Sequence, residues 1–303
     1  MRWKFGRADN AVSSAALKRL IITADDFGLD VAVNEAVERA CRAGVLTTAS
    51  LMVGAPAADD AVARARRLPE LRVGLHVTLV DGRPISSPRT VPDLVGPDGE
   101  FSAALFRQGV RFFFLPRVRR QLAAEIRAQF DAFRATGLPL DHVNAHKHMH
   151  LHPTVLALIL TIGRDYGLRA VRLPHEPWRN AFCLGQGVAG RLAWSIFLAP
   201  WLTLMRRRLR RYGLRHNDYL FGLARSGAMD EAALLRLLRC LPDGVSEIYF
   251  HPAAARTPEL ARRMSSYRHE DELAALLSPA VKARLDDPRY RRISFSELHS
   301  AAA

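Results

Sequence analysis

Leu20-Ile21-Ile22-Thr23-Ala24-Asp25-Asp26-Phe27-Gly28-Leu29-Asp30 reads as a strand that runs out into a turn and then a helix. Leu20–Ala24 is short, apolar and β-rich, with no polar alternation, as expected of a strand buried on both faces. From Asp30 to Ala43 the period changes: Val31, Val33, Ala36, Val37 and Ala40 gather largely on one helical face, and Gly44 stands where a C-cap glycine would. The same unit then recurs. Leu46–Val53 reads as a strand, Ala57–Arg67 as a helix, and Val73–Val80 as a strand ending at the turn pair Asp81-Gly82. Residues 81–102, rich in Pro, Gly and Ser, read as a long loop, and helical pattern resumes over about 103–136. Leu140–His150 reads as a fourth strand, Pro153 opens a helix to Tyr166, and Arg169–Leu173 reads as a fifth strand. Residues 174–227 break the rhythm and read as an insertion. A helix at 230–240, a strand at 246–250, and a final helix and short strand near Arg292–Phe295 restore it. Alternating units of this kind predict a parallel sheet with helices outside, which repetition can close into a barrel. We expect a flexible leader over 1–17 and a single α/β domain over 18–303.

The 303 residues suffice for an α/β barrel of roughly 250. A chain 49% hydrophobic and 24% charged is neither disordered nor a coiled coil. The net charge is +14, and only Lys4, Lys18, Lys147 and Lys282 among the 44 basic residues are not arginine. Arginine forks onto carboxylate and phosphate, so this excess points to anionic company. Cys41, Cys183 and Cys240 are too scattered for a disulfide framework and read as small core residues in a reducing cytosol. The first twenty residues lack a secretory apolar run, and no stretch reaches the ~18 apolar residues of a membrane span. The nearest, Leu192–Met205, is broken by Pro200.

Chemistry-bearing residues fall at strand ends. Asp25-Asp26 follows the first strand, where α/β enzymes place their sites. Either carboxylate alone could cap the next helix; two adjacent ones with Gly28 behind them suggest more. His76 stands in the third strand. Five histidines lie within His142–His152, and an extended chain there would put 142, 144, 146, 148 and 150 on one face. A face of imidazoles in a core strand is costly unless it lines a pocket or holds a metal. Ile248-Tyr249-Phe250-His251-Pro252 ends a late strand with another histidine. Two histidines and a carboxylate leave open coordination positions on a divalent cation, a second carboxylate can take a proton from water, and a distal histidine can protonate a leaving group. That set predicts hydrolysis of an amide, ester or phosphoester.

Ala24-Asp25-Asp26-Phe27-Gly28, Gly74-Leu75-His76, His142-x-Asn144-x-His146-Lys147-His148-x-His150 and Phe250-His251-Pro252 together resemble the YdjC-like carbohydrate deacetylases, with matching spacing from about 19 to 255. The wording His142–Pro153, the segment His216–Leu223 and the insertion are similar to the hopanoid-biosynthesis branch of that family. The resemblance implies a distorted (β/α) barrel of the YdjC/polysaccharide-deacetylase type and a metal-dependent N-deacetylase. It implies that Asp26, His76 and His146 hold the metal, that Asp25 is the general base, that His251 is a general acid or oxyanion partner, and that Arg172 orients Asp25. The metal would be Zn²⁺, with Ni²⁺, Co²⁺ or Mg²⁺ as alternatives. Where the wider family carries Asp-Ser before the metal histidine, this chain has Asn144-Ala145, which removes a charge; Asn144 and His148 are candidates for a second layer or the sugar pocket. The implied substrate is an N-acetylglucosaminyl hopanoid lipid, the alternative a soluble N-acetylated chitooligosaccharide.

Such a lipid stays in a bilayer, so its enzyme must reach the surface. Residues 188–215 carry seven arginines and no acid among large apolar side chains. Trp194, Phe197, Trp201, Arg206, Arg207 and Arg208 are therefore expected at an anionic membrane. Residues 110–120 repeat the pattern with Phe112, Phe113 and Phe114. The chain lacks the signature of an RNA-recognition motif or helix-turn-helix, so no nucleic-acid partner is expected. A cytoplasmic protein, peripheral at the inner membrane surface, is the resulting expectation.

Overall fold

The computed structural model describes residues 17–181 and 188–299, so the leader expected over 1–17 falls almost wholly outside it. The elements in order are β1 (Lys18–Phe27), α1 (Val31–Arg42), β2 (Thr48–Leu51), α2 (Ala58–Ala65), β3 (Arg72–Val77), α3 (Leu105–Phe114), α4 (Pro116–Ala135) and β4 (Leu140–Ala145). They continue with α5 (Pro153–Gly163), α6 (Val188–Arg211), β5 (Tyr219–Phe221), α7 (Glu231–Arg239), β6 (Val245–Phe250), α8 (Pro258–Arg263), α9 (His269–Leu277), α10 (Pro279–Leu285) and β7 (Tyr290–Arg292).

All strand pairs are parallel, in the order β4-β3-β2-β1-β6-β5, and β7 pairs with the first residues of β1. The two ends of this sheet are joined by residues 169–175. Val143 bridges Val171, and Ala170 bridges Arg215. The predicted fifth strand is reduced to these bridges for a local reason. Leu173 N–H donates to the Asn217 side-chain oxygen (2.7 Å), and Asn217 Nδ2 donates to the Leu173 carbonyl (2.9 Å). A side-chain amide thus replaces a strand peptide as the next rung. The result is a distorted barrel, as expected.

Residues 174–227 are not merely an insertion, because β5 within them pairs with β6 and completes the wall. β1 is buried from Leu20 to Phe27 and its neighbours cover both faces, which accounts for its unbroken apolar run. Asp30 caps α1 by accepting from Ala32 N–H (2.8 Å), and Val33, Ala36, Val37 and Ala40 face the core. Gly44 is not a left-handed cap. A β-carbon there would lie 2.4 Å from the Leu276 carbonyl oxygen, so the glycine permits close approach of α9. The helical pattern expected over about 103–136 forms two helices, divided at Pro116, whose ring sits in the first turn of α4. Cys41 is free, whereas Cys240 is disulfide-bonded, which corrects the reading of three reduced core thiols. Among the described residues no helix is long and apolar enough to cross a membrane.

Candidate active site

The site lies where strands β1, β3, β4 and β6 end. Consecutive residues of a regular strand point to opposite faces, yet Asp25 and Asp26 line one cavity of about 170 Å³. The reason is a bulge. Ala24 pairs with Ala49 and Phe27 with Leu51, so β1 carries one more residue than β2 across this interval. Asp26 takes up the difference in the left-handed region (φ 61°), which Asp tolerates better than most residues. The exit turn is pinned by Gly28 N–H donating to Asn34 Oδ1 (2.8 Å), with Gly28 at φ 95°.

His76 and Asn144 are register partners on β3 and β4. Asn144 Nδ2 donates to Ser50 Oγ (2.9 Å) and to Asp25 Oδ1 (3.2 Å), so its oxygen faces His76 Nδ1 at 2.7 Å and accepts from it. Nδ1 of His76 therefore carries the proton in the neutral ring. Its Nε2 lone pair then faces Asp26 Oδ1 at 3.2 Å. His146 Nδ1 approaches the same Oδ1 at 3.0 Å, and Asp26 Oδ2 is buried without a partner. Acceptor would then face acceptor; a proton on Nε2 relieves this, since Asp25 and Asp26 outweigh burial and raise the His76 imidazole, and a divalent cation between the same atoms would relieve it equally. Asp26, His76 and His146 offer ligand atoms all within 4.8 Å of one another. One carboxylate and two imidazoles suit a first-row divalent ion with open positions, and the orphaned Oδ2 fits the same assignment.

Asp25 belongs to a different network. Arg172, fully buried, grips it with both ends of the fork, Nη1 to Oδ2 at 2.6 Å and Nη2 to Oδ1 at 2.9 Å. The other edge of Arg172 donates to Glu247 Oε1 from Nε (3.0 Å) and Nη2 (2.7 Å), and Thr23 Oγ1 donates to the same oxygen (2.7 Å). Burial pushes the Asp25 carboxyl up, but Arg172, with His76 and His251, overrides it and holds the group well below the usual carboxylate range. Burial likewise opposes ionisation of Asp26, and His146 outweighs it.

The strand predicted to reach His150 ends at Ala145. Lys147 (φ 49°) and His148 (φ 54°) are left-handed and turn the chain into a 3-10 segment, His146–Leu151. Lys147 holds this turn by its ion pair to Asp81, which Arg263 also grips at 3.1 Å. The five histidines are thereby dispersed. His142 is buried between Ser50 Oγ (3.1 Å) and Asp141 Oδ2 (3.0 Å) and stacks on Phe295. His148 reaches the cavity, its Nε2 at 3.3 Å from the Tyr249 hydroxyl, and burial lowers it to about 3. His150 is buried with neither nitrogen paired, and burial keeps it neutral. His152 caps α5.

His251 also lines the cavity. Burial lowers it to about 4, and its Nδ1 has no partner. Its backbone is fixed from α9, where Glu272 accepts from its N–H at 2.5 Å and His269 Nδ1 faces its carbonyl at 2.6 Å. Tyr249, under the Arg172 guanidinium (5.1 Å from the ring centre), and Tyr267 complete the wall.

Every strand-end residue predicted for the site lines this cavity or contacts one that does. Glu247, Ser50, Tyr249 and Glu272 were not predicted. Glu247 carried a usable signal, a lone acid inside the apolar run Val245–Phe250. Of the six expected membrane residues, Phe197 (73%) and Arg207 are exposed. Trp201 is half-buried under Arg208 (5.5 Å), and Arg206 turns inward to donate to His175 Nδ1 (2.7 Å). The Trp194 side chain lies outside the described residues.

Three comparisons bear on this arrangement. The sequence family described as YdjC-like protein matches residues 19–287. A carbohydrate deacetylase of Brevibacillus brevis is 30% identical over 92% of this chain and 99% of its own, and one of Vibrio vulnificus is 31% identical over 93% and 99%. The crystal structure of a candidate cellobiose-phosphate cleavage protein from Enterococcus faecalis superposes with a TM-score of 0.73 at 25% identity, covering 93% of this chain and 99% of that one.

Proposed function

The chain belongs to the YdjC-like family, and on that premise we propose that it is a carbohydrate deacetylase, a metal-dependent hydrolase that removes the acetyl group from an N-acetylated amino sugar. The observation that carries the metal-dependent reading is the convergence of Asp26, His76 and His146 lone pairs beside an ionised Asp25 in one cavity. A divalent cation held there supplies Lewis-acid polarisation and acidifies water.

The residues divide the remaining work. Asp25 is ionised, hence able to accept the proton of an attacking water, and the Arg172 fork fixes its aim at some cost in basicity. Asn144 sets which His76 nitrogen faces the ligand position. His251, whose Nδ1 has no partner, is the group to pass a proton on: as the imidazole it takes the proton that Asp25 removes from water, and as the imidazolium it gives that proton to the departing amine. Water's oxygen joins the acetyl carbon, the C–N bond breaks, and acetate and a free amine leave.

For the substrate we propose a membrane-bound glycolipid, of which an N-acetylglucosaminyl hopanoid is the specific case implied by the sequence resemblance. Support comes from the surface at the catalytic end. A helix after a parallel strand runs back down the barrel, so the start of α6 and the α3–α4 junction lie at the end where strands finish. At the α3–α4 junction Phe114 (69%) is exposed with Phe113 and Leu115, and Arg117, Arg119 and Arg120 follow; in the first half of α6, Ile196 (65%) and Phe197 (73%) are exposed. Aromatic surface with an arginine fringe suits an anionic bilayer. The protein would then be peripheral at that surface.

The test is acetate release from an N-acetylglucosaminyl glycolipid in anionic vesicles and from chitooligosaccharide, before and after chelation. Loss of release on chelation and its return with Zn²⁺ supports metal dependence. A higher rate on vesicles, with flotation of the protein, supports the glycolipid; a higher rate on chitooligosaccharide with no flotation supports the soluble alternative.

A further inference from the structure

A second cavity, of about 490 Å³, lies between the middle of α6 and the segment following Leu173. Its volume is in the range of small-ligand sites. The apolar wall is formed by Trp178, Leu198, Ala199, Leu202 and Leu223. Leu223 also lines the catalytic cavity, so one side chain is the partition between the two spaces.

The partition is held in place. Glu176 accepts from Gly222 N–H (3.1 Å) and Ala224 N–H (3.0 Å), clamping the turn that carries Leu223 onto the cavity wall. Apart from Ser195, the hydroxyl and charged side chains of this wall are engaged within the protein. Arg206 donates to His175, Glu176 accepts from the backbone, and Thr203 Oγ1 donates to the Ala199 carbonyl (2.8 Å). A sugar ring seeks many hydrogen bonds, and this wall has few to spare. Hydrocarbon gains by leaving water and asks for none.

We propose that this cavity binds the apolar aglycone of the glycoside substrate, with the acetamido sugar on the Asp26 side of Leu223. The proposal rests on the deacetylase reading and narrows it to sugars joined to a hydrocarbon.

The test uses the full chain loaded with Zn²⁺ and a series of methyl, butyl and octyl N-acetyl-β-glucosaminides. Calorimetric affinity is expected to rise with chain length, by about tenfold or more from methyl to octyl given the value of a buried methylene. A flat series overturns the proposal. Ala199→Trp, which narrows the cavity, is expected to reduce the octyl-over-methyl preference by about threefold or more. An unchanged preference in this variant, shown folded by circular dichroism, also overturns it. Should the variant not fold, the chain-length series on the unmodified protein still decides. Acetate release from the methyl glycoside reports on the deacetylase reading separately. Its absence would defeat that reading, whereas release without a chain-length preference defeats only the aglycone site.

Discussion

Asn144 Oδ1 accepts a hydrogen bond from His76 Nδ1 at 2.7 Å, and this contact decides which nitrogen of His76 faces Asp26. Asn144→Ala should let the ring choose the other tautomer and weaken metal affinity by about 10–100-fold. Asn144→Asp, which keeps an acceptor, should restore most of it. Competition with a calibrated chelator measures both, and equal affinities across the three proteins would contradict the assignment.

Asp25 and Asp26, adjacent in sequence, should separate in their effects. Asp25→Asn is expected to cut acetate release by about 10²–10⁴-fold with metal content unchanged, because the base is lost and no ligand is. His146→Ala should lose metal and activity together. Metal loss in the Asp25 variant, read by elemental analysis, would exchange the two aspartates' roles.

Glu247 touches neither the cavity's ligand position nor Asp25, but it holds the far edge of Arg172. Glu247→Leu leaves a buried guanidinium half-paired and should cost about 3–5 kcal/mol of stability. Glu247→Gln, which keeps an acceptor, should fold and show a lowered kcat with KM little changed, since Arg172 then aims Asp25 less firmly. A kcat equal to that of the unmodified enzyme would confine Glu247 to stability.

Burial pushes the Glu272 carboxyl up to about 7 from an ordinary 4.5, against the pull of the Met229 and His251 N–H groups. Between these values the folded protein keeps a proton that the unfolded chain has released, so this group's contribution falls as pH rises through the window, by on the order of 3 kcal/mol. Glu272→Gln cannot ionise. Urea unfolding at about pH 5 and about pH 8 should show the variant gaining on the unmodified protein at the higher pH. A difference between the two proteins that is the same at both pH values would contradict it.

Much of the site was legible because Asp25, Asp26, His76, His146 and His251 are costly in buried strands and all stand at strand ends. What escaped had non-local causes. The bulge that turns Asp26 beside Asp25 is a register difference between β1 and β2, which no window of β1 contains. The left-handed pair Lys147-His148 defeats the alternation that would have put four imidazoles and Asn144 on one face, and the Asp81 contact that holds it is 66 residues away. The barrel seam beside Leu173 runs through the Asn217 side chain, so 169–173 has strand composition without a full ladder. Glu247 stood out as a lone acid in an apolar run, but its role could not be read locally, because its partners come from β1 and the 169–173 segment.

The central claim is that this cavity hydrolyses the acetamide of an amino sugar with a cation held by Asp26, His76 and His146. The most direct measurement is mass spectrometry of an N-acetylglucosaminyl glycolipid after incubation with the Zn²⁺-loaded protein and with its Asp26→Ala variant. The account predicts loss of one acetyl group with the first and an unchanged glycolipid with the second. An unchanged mass with the folded, loaded protein, or equal acetyl loss with both, would contradict it.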